Sequence, residues 1–203
     1  MDKRISSPPS RQTRTPSPAF TGLRMGELRA LRWRDVSFVN RIVHVRRSVW
    51  RGEEGTPKSG KARSVPLIDQ AARPLDALSR REHFTGPDDH VFCAAHGTVL
   101  DDNGMRDVLY AAMKRAGVDR DRGNGKPFVF HDLRHTFGTL AVQAFPLSDV
   151  RAFMGHADVQ TTMIYVHHVP QHDAADRLGN LVQQASGYQP GTELSESHVP
   201  ERT

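Results

Sequence analysis

The sequence predicts an α+β domain that is mainly helical and carries one small antiparallel sheet. Two strand-like segments lie in the first third of the chain, separated by a glycine-containing turn. Helical spacing of apolar residues dominates the second half. Strands early in the chain and helices later are typical of an α+β arrangement, and 203 residues suffice for one domain.

The sheet is predicted between residues 41 and 67. Residues 41–50 (RIVHVRRSVW) alternate in polarity and contain β-branched side chains, so they predict a strand. Residues 52–60 contain three glycines and a proline and predict a turn. Residues 62–67 (ARSVPL) predict the returning strand.

The spacing of apolar residues predicts the helices. They are expected at residues 25–33, 68–83, 103–116, 131–144, 148–154, 159–167 and 171–184, with a short apolar run at 90–93 between the second and the third. In the helix over 131–144, the predicted buried stripe is Leu133, Phe137, Leu140 and Ala144. In the helix over 159–167, Val159, Met163 and Val166 are expected to share a stripe, with Tyr165 pointing away from it.

Both ends of the chain differ in composition from the middle. Residues 1–18 form a basic tract rich in Ser and Pro with little to bury, and they predict disorder. Residues 186–203 are polar and predict a flexible tail. The globular domain is therefore expected over residues 19–185.

The composition narrows the class of protein. No stretch approaches the roughly 18 to 20 apolar residues of a membrane span, so no membrane partner is expected. The single cysteine, Cys93, excludes an intrachain disulfide and fits a cytoplasmic location. The net charge is +5, and 23 of the 28 basic residues are Arg, which favours a nucleic-acid partner. Codon bias can also enrich a protein in Arg.

The segment HDLRH provides the first candidate chemical group. His131 and Arg134 are three residues apart, so on a helix they are neighbours on a face off the predicted apolar stripe. Together they could bind an anion with a proton donor beside it. A solvated polar face is the alternative, and for an isolated pair it is the more common one.

Three further segments carry candidate groups. His156 follows Gly155, and Tyr165 lies off the apolar arc, where its hydroxyl is expected to be accessible; an ordinary amphipathic aromatic is the alternative. Arg24 lies one helical turn before Leu28, near an inward face where a guanidinium requires an anion or a carboxylate. Lys58 lies in the turn between the two strands, a common place for an exposed lysine.

Together and in this order, the segments resemble the catalytic domain of the tyrosine recombinases, the phage-integrase family. The matching stretches are TGLRMGEL (21–28), PKSGKARSVPL (57–67), HDLRHTFGT (131–139) and FMGHADVQTTMIYVH (153–167). By position, the resemblance implies six catalytic residues: Arg24, Lys58, His131, Arg134, His156 and the nucleophile Tyr165. Lys61 is the alternative to Lys58, because it lies three residues away on the same turn.

The resemblance implies a reaction on double-stranded DNA without metal or other cofactor. In this family Tyr attacks the scissile phosphate, giving a 3′-phosphotyrosyl link and a free 5′-hydroxyl. The two arginines and His156 would contact the phosphate, Lys58 would protonate the leaving oxygen, and His131 would assist proton transfer at Tyr165. Self-association on DNA through the segment 171–184 is also implied. Type IB topoisomerases share the chemistry but fit the H-x-x-R and G-H patterns less well.

The sequence departs from the family before residue 21. Only Ala19 and Phe20 separate the Ser/Pro tract from the TGLR motif, so the N-terminal DNA-binding domain and the first helix of the catalytic domain are expected to be missing. The alternative function is therefore a truncated, non-catalytic DNA-binding remnant or regulator of an integrase.

Other notable side chains are assigned to structure rather than chemistry. His135, His167, His168 and His172 lack a carboxylate or third ligand at a matching spacing, so no metal site is predicted. Trp33, Trp50 and Phe137 are expected in the core rather than as platforms for stacking bases.

Overall fold

A computed structural model describes residues 20–121 and 123–166 of the chain. The described elements combine short strands with longer helices, which confirms the predicted α+β class. The strands are β1 (Val36–Ser37), β2 (Ile42–Val45), β3 (Ser48–Trp50), β4 (Glu53–Gly55) and β5 (Arg63–Pro66). The helices are α1 (Met25–Arg29), α2 (Asp69–Ser79), α3 (Asp102–Arg115), α4 (Phe130–Ala144), α5 (Leu147–Met154) and α6 (Gln160–Val166), with a 3₁₀ turn at Trp33–Asp35.

The long strand predicted over residues 41–50 is divided into β2 and β3, which belong to different sheets. β2 lies between β1 and β5 in an antiparallel sheet, with Val43 opposite Val65, and β3 pairs with β4 as a separate hairpin. The division falls at Arg46 and Arg47, whose guanidinium groups lie 3.8 and 2.5 Å from the carboxylate of the buried Asp35. The alternation in the sequence continues through both arginines and therefore does not reveal the break.

The segment predicted as a turn, residues 52–60, contains the strand β4. The β3–β4 hairpin closes through Arg51 and Gly52, which have φ values of 51° and 86°. Two consecutive residues with positive φ are typical of the tightest hairpin turns. The turn is therefore shorter than predicted, and Lys58 lies in the loop that follows β4 rather than within the hairpin turn.

Two helices end earlier than predicted. The first ends at Arg29 instead of residue 33, because the chain then pairs with the apolar run at 90–93: the Val91 amide donates to the Leu31 carbonyl (2.9 Å) and the Trp33 amide to the Asp89 carbonyl (3.2 Å). α2 ends at Ser79 instead of residue 83. The other helices within the described residues begin and end within about one residue of their predicted limits.

The predicted buried stripe of α4 is wrong at two of its four residues, and Leu133 is half-buried. Phe137 is buried as predicted, but Leu140 is 50% exposed and Ala144 is exposed, while Arg134 is buried together with Gly138 and Ala141. The helix is rotated relative to the prediction because the guanidinium of Arg134 finds hydrogen-bond acceptors inside the domain, as described below.

The predicted orientation of α6 is also wrong. Tyr165 is only 3% exposed and Thr162 is fully buried, whereas Val159 is 38% exposed. Tyr165 thus belongs to the core, packed against α4. The prediction for Trp50 is also wrong: this side chain was expected in the core and is 73% exposed. Trp33 and Phe137 are both buried as predicted.

The core combines residues of β2 and β5 with residues of α1, α4 and α5, and α5 packs against β5. Its centre includes the fully buried side chains of Val43, Val65, Val150 and Met154. Within the described part of the chain, no helix is both long enough and apolar enough to cross a membrane. The predictions for residues 1–18, 171–184 and 186–203 lie outside the described residues.

Candidate active site

Two guanidinium groups bind neighbouring carbonyls at the end of α5. Nη2 of Arg24 donates to the Gly155 carbonyl at 3.2 Å, and Nη2 of Arg134 donates to the carbonyl of the preceding residue, Met154. Nη1 of Arg134 also donates to the carbonyl of Gly22, two residues before Arg24. The two arginines are 110 residues apart in sequence, and this network brings them together beside His156.

The backbone at Gly155 makes this arrangement possible. Gly155 ends α5 in the left-handed conformation, with φ 62° and ψ 45°, which only glycine adopts readily. A Cβ atom at this position would also lie 3.0 Å from Nη1 of Arg63. Both features allow the chain to turn sharply after the helix and place His156 next to the two arginines.

Arg24 is the residue directly before α1 and lies at the surface of the cluster. Its amide donates to Oε2 of Glu27 (2.8 Å) and its Nη1 donates to Oε1 of the same carboxylate (3.1 Å), so Glu27 both caps the helix and holds the Arg24 side chain. The Arg24 side chain is 25% exposed. α1 lies close against β3 because Gly26 has no side chain: a Cβ atom there would lie 2.5 Å from the Val49 carbonyl oxygen.

A second arginine, Arg63 on β5, completes the environment of Glu27. Its Nη1 and Nη2 donate to the two carboxylate oxygens at 2.9 and 2.7 Å. Burial by itself raises the pKa of the Glu27 carboxyl, but the hydrogen bonds and charges of Arg63 and Arg24 outweigh it and hold that pKa below its usual value. Glu27 is therefore a buried anion between two cations.

Arg134 contributes a deeply placed positive charge. It is 2% exposed. Burial, together with the charges of Arg24 and Arg63, lowers the pKa of its guanidinium to about 9, so the group remains protonated at neutral pH. A buried cation that faces two carbonyl dipoles is not fully neutralised and creates a strong local field for an anion.

His156 is neutral in this cationic environment. Its Nδ1 lies 3.0 Å from Oγ1 of the buried Thr162. Burial and the charges of Arg134, Arg24 and Arg63 lower the pKa of the imidazole to about 4. At neutral pH the ring can therefore donate a hydrogen bond to an anion without adding a charge of its own.

The hydroxyl of Tyr165 faces His135 and is not accessible, contrary to the prediction. Its oxygen lies 3.0 Å from Nδ1 of His135, and burial raises the pKa of the phenol despite the nearby charges of Arg134 and Arg24. The ring packs directly on Gly138, where a Cβ atom would lie 2.6 Å from Cζ. His131, predicted to assist Tyr165, contacts His135 edge-on, with ring centroids 4.8 Å apart.

A groove of about 630 Å³ leads into this cluster from the surface. Arg24, Lys58 and His131 line it, together with the exposed Trp50 on its β3 wall. Burial and the neighbouring His135, Arg134 and Arg24 lower the pKa of His131. Lys58 is exposed and belongs to this lining, whereas Lys61 does not. Of the two loop lysines, Lys58 is therefore the one that lines the groove.

Two residues of the site, His135 and Arg63, were not identified from the sequence. From the sequence, His135 is assigned to structure rather than chemistry, and Arg63 is given no role. Both act through partners 30 or more residues away, Tyr165 for His135 and Glu27 for Arg63, so no local pattern identifies them. An anion or a carboxylate was expected next to Arg24 from the sequence, and the structure contains an ion pair between Arg24 and Glu27.

Known proteins resemble this chain in both sequence and fold. The sequence profile of the "Phage integrase family" matches residues 19–172. Tyrosine recombinase XerC of Xanthomonas axonopodis pv. citri is 31% identical over 153 residues, which cover 75% of this chain and 45% of that relative. The chain thus spans about half the length of the curated relatives it matches.

Two solved structures extend the similarity to the fold. The XerH site-specific recombinase bound to palindromic difH substrate has a TM-score of 0.59 at 25% identity, over 83% of this chain and 46% of that one. The Tn1549 transposon integrase in complex with circular intermediate DNA has a TM-score of 0.63 at 20% identity, over 80% and 56%. On the strength of the sequence profile, we conclude that the chain belongs to the phage integrase family and contains a tyrosine recombinase catalytic domain.

Proposed function

We propose that this chain acts in site-specific DNA recombination, breaking and rejoining DNA strands through a covalent link to Tyr165. The observation that carries the proposal is the pair of guanidinium groups, Arg24 and Arg134, held on consecutive carbonyls beside a neutral His156. Such a cluster fits one phosphate group, whose non-bridging oxygens accept hydrogen bonds from all three side chains. The similarity to XerC and to XerH, a site-specific recombinase bound to its difH substrate, supports the same function.

The proposed reaction consists of two phosphoryl transfers that balance each other. The Tyr165 oxygen attacks the scissile phosphorus, the bond to the 5′-oxygen breaks, and the phosphate becomes a 3′-phosphotyrosyl ester. The phenol loses its proton and the leaving 5′-oxygen gains one. A 5′-hydroxyl from a second strand then attacks the ester, releases Tyr165 and restores the phosphodiester, so the bond energy is conserved.

The roles of the side chains follow from their positions. Negative charge develops on the non-bridging oxygens during attack, and Arg24 and Arg134 stabilise it with charges that are already oriented. His156 donates a hydrogen bond to the same oxygens. Lys58, on the groove wall, protonates the leaving oxygen, and His131 assists proton transfer.

Tyr165 has to change its environment before it can react. Its hydroxyl is bonded to His135 and its side chain is 3% exposed, so attack requires the hydroxyl to leave this contact and reach the phosphate. Its raised pKa also has to fall, which contact with the two guanidinium groups would favour. We propose that the described arrangement is the state before DNA binding.

The partner is double-stranded DNA, held mainly through its phosphates. With a net charge of +5 and 23 Arg, affinity should fall steeply with salt, by about 0.9 log units per phosphate contact for each log unit of salt. The proposal places the chain with DNA in the cytoplasm and includes self-association on DNA, as the family resemblance implied.

A nicked suicide substrate tests the proposal. A duplex nicked close to the cleavage point loses its short 5′-hydroxyl fragment after attack and traps the protein on the DNA. The wild-type chain should give a covalent product that resists denaturant, and peptide mapping should locate the link at Tyr165. The reaction is run with EDTA present, because the proposed chemistry requires no metal.

Matched variants separate chemistry from binding. Tyr165→Phe removes one oxygen atom, so it should abolish the adduct and leave duplex binding nearly unchanged. Arg134→Ala should weaken both, because its guanidinium acts on the phosphate before and during attack. Duplex binding without an adduct in the wild-type chain would contradict the catalytic proposal and favour the alternative, a non-catalytic DNA-binding protein.

A further inference from the structure

Arg63 is bonded to two different parts of the candidate site. Its side chain is 8% exposed, and both terminal nitrogens bind the Glu27 carboxylate of α1 at 2.9 and 2.7 Å. Its Nε donates to the carbonyl of Phe153 in α5 at 2.7 Å. One side chain on β5 therefore joins the beginning of α1 to the end of α5.

The same guanidinium lies against the turn that carries His156. A Cβ atom on Gly155 would lie within 3.0–3.1 Å of three Arg63 atoms, so the turn and the guanidinium are in tight contact. Arg24 reaches this turn from the other side, through its bond to the Gly155 carbonyl. The turn is thus held between two arginines. The Arg24 side chain is 25% exposed and lines the groove, whereas the Arg63 side chain is buried.

The charges of the three side chains determine what Arg24 can offer to a ligand. Glu27 is a buried carboxylate with four hydrogen bonds, two from Arg63 and two from Arg24. Arg63 occupies it in the bidentate geometry, the strongest for this pair. Arg24 donates to Glu27 through only one terminal nitrogen, and the trio keeps a net charge of +1. Without the charge of Arg63, Glu27 would neutralise Arg24 and draw its guanidinium away from the groove.

We propose that Arg63 is a positioning residue: it holds and neutralises Glu27 so that Arg24 stays available to a phosphate, and it fixes the turn that carries His156. This inference rests on the proposed function for the phosphate, and it adds a residue outside the six assigned by resemblance. Arg63 itself does not contact the reacting atoms.

A charge-restoring double variant tests this role. Arg63→Gln should slow adduct formation on the suicide substrate by about 10- to 100-fold. Removal of a donor that contacts the reacting group directly typically lowers the rate by about 10²- to 10³-fold, so the expected effect of Arg63→Gln is no larger than that. Glu27→Gln combined with Arg63→Gln removes the carboxylate that would otherwise neutralise Arg24. The double variant should therefore react at least several-fold faster than Arg63→Gln alone. Arg63→Lys keeps the charge and loses the fork, so it should fall between wild type and Arg63→Gln.

A second readout does not depend on catalysis. Duplex affinity across a range of salt concentrations should fall in Arg63→Gln, with a shallower salt slope, and recover in the double variant. Arg80→Gln is the matched control, because it also removes one positive charge but from a side chain that is 76% exposed. It should leave both the adduct rate and the salt slope close to wild type.

The outcomes distinguish the inference from the proposed function. A double variant that forms the adduct no faster and binds duplex no more tightly than Arg63→Gln would overturn the inference. If Arg63 and Glu27 only supported the structure, the second substitution would add to the loss caused by the first instead of reversing it. Should Arg63→Gln fail to fold, as judged by circular dichroism, Arg63→Lys still decides it: because Lys keeps the charge that neutralises Glu27, an Arg63→Lys protein that folds but forms the adduct more than about 100-fold more slowly than wild type would also overturn the neutralising role. A wild-type chain that binds duplex without forming an adduct would contradict the catalytic proposal, while the binding readout would still test Arg63.

Discussion

The hydroxyl oxygen of Tyr165 lies 3.0 Å from Nδ1 of His135, a residue 30 positions earlier in the chain. This contact places the proposed nucleophile inside the core and joins α6 to α4. It also gives a third histidine, in addition to His131 and His156, a direct contact with a proposed catalytic residue.

Loss of this contact through a substitution of His135 should lower the free energy of unfolding. His135→Phe leaves the buried hydroxyl without this partner, which typically costs about 1–3 kcal/mol. Tyr165→Phe removes the hydroxyl itself and should cost only about 1 kcal/mol. Free energies of unfolding in urea should then show the double variant to be less damaged than the sum of the two single variants. Additive losses would show that the two side chains are not coupled.

Gly138→Ala should force the Tyr165 ring out of its place. The added methyl would lie 2.6–2.7 Å from three ring carbons, and overpacking of this kind costs about 1–3 kcal/mol. Alanine would otherwise favour a helix over glycine by about 1 kcal/mol, so a net loss of stability reports the contact. Gly55→Ala, where nothing lies within 4 Å, is the control. A Gly138→Ala protein more stable than wild type would contradict this packing.

Stability should fall as the pH is lowered from about 6.5 toward 4. The folded chain holds the pKa of His156 near 4, whereas the unfolded chain protonates it near 6.5. In this window the unfolded state binds more protons, so the free energy of unfolding rises with pH and is lost on acidification. His131, whose pKa is also lowered, adds to the effect in the same direction.

The variant His156→Asn should flatten this part of the profile. Urea unfolding at several pH values from 4 to 7 measures the slope, and His83→Asn, at a ring that is 72% exposed, serves as the control. An unchanged slope in His156→Asn would mean that the imidazole is not held neutral by its surroundings.

Replacement of the two loop lysines should have unequal effects. Lys58 lines the groove with Arg24 and His131, whereas Lys61 lies outside that lining. Lys58→Met should slow formation of the adduct by about 10²- to 10⁴-fold if it protonates the leaving oxygen, and Lys61→Met should have little effect. A substrate with a 5′-bridging sulfur, which leaves without a proton, should restore the rate of Lys58→Met. The reverse order of the two variants would assign the role to Lys61.

The residue types of the site could be predicted from the sequence, because each motif is local. Arg24, His131, Arg134, His156 and Tyr165 stand in short segments whose resemblance to one family implied their catalytic roles, and the family profile covers all of these positions. The α+β class and most helix limits were also predictable, since they depend on periodicity and turn residues close in sequence.

The directions in which those side chains point depend on contacts between distant segments of the chain. Local periodicity placed Arg134 on a polar face and left the hydroxyl of Tyr165 accessible, and both side chains are buried. A buried guanidinium is tolerated here because it meets the carbonyls of Gly22 and Met154, 112 and 20 residues away. Such acceptors do not appear in any window of sequence around Arg134.

The same reason explains the division of the predicted strand and the roles of Arg63 and His135. Arg46 and Arg47 meet a buried carboxylate from a preceding segment, Arg63 meets Glu27 from 36 residues earlier, and His135 meets Tyr165. Hydrogen bonds and ion pairs between distant segments compensate for the burial of polar groups. Local sequence patterns therefore reveal which chemical groups the protein carries, whereas packing between distant segments makes each of them buried, paired or open to a ligand.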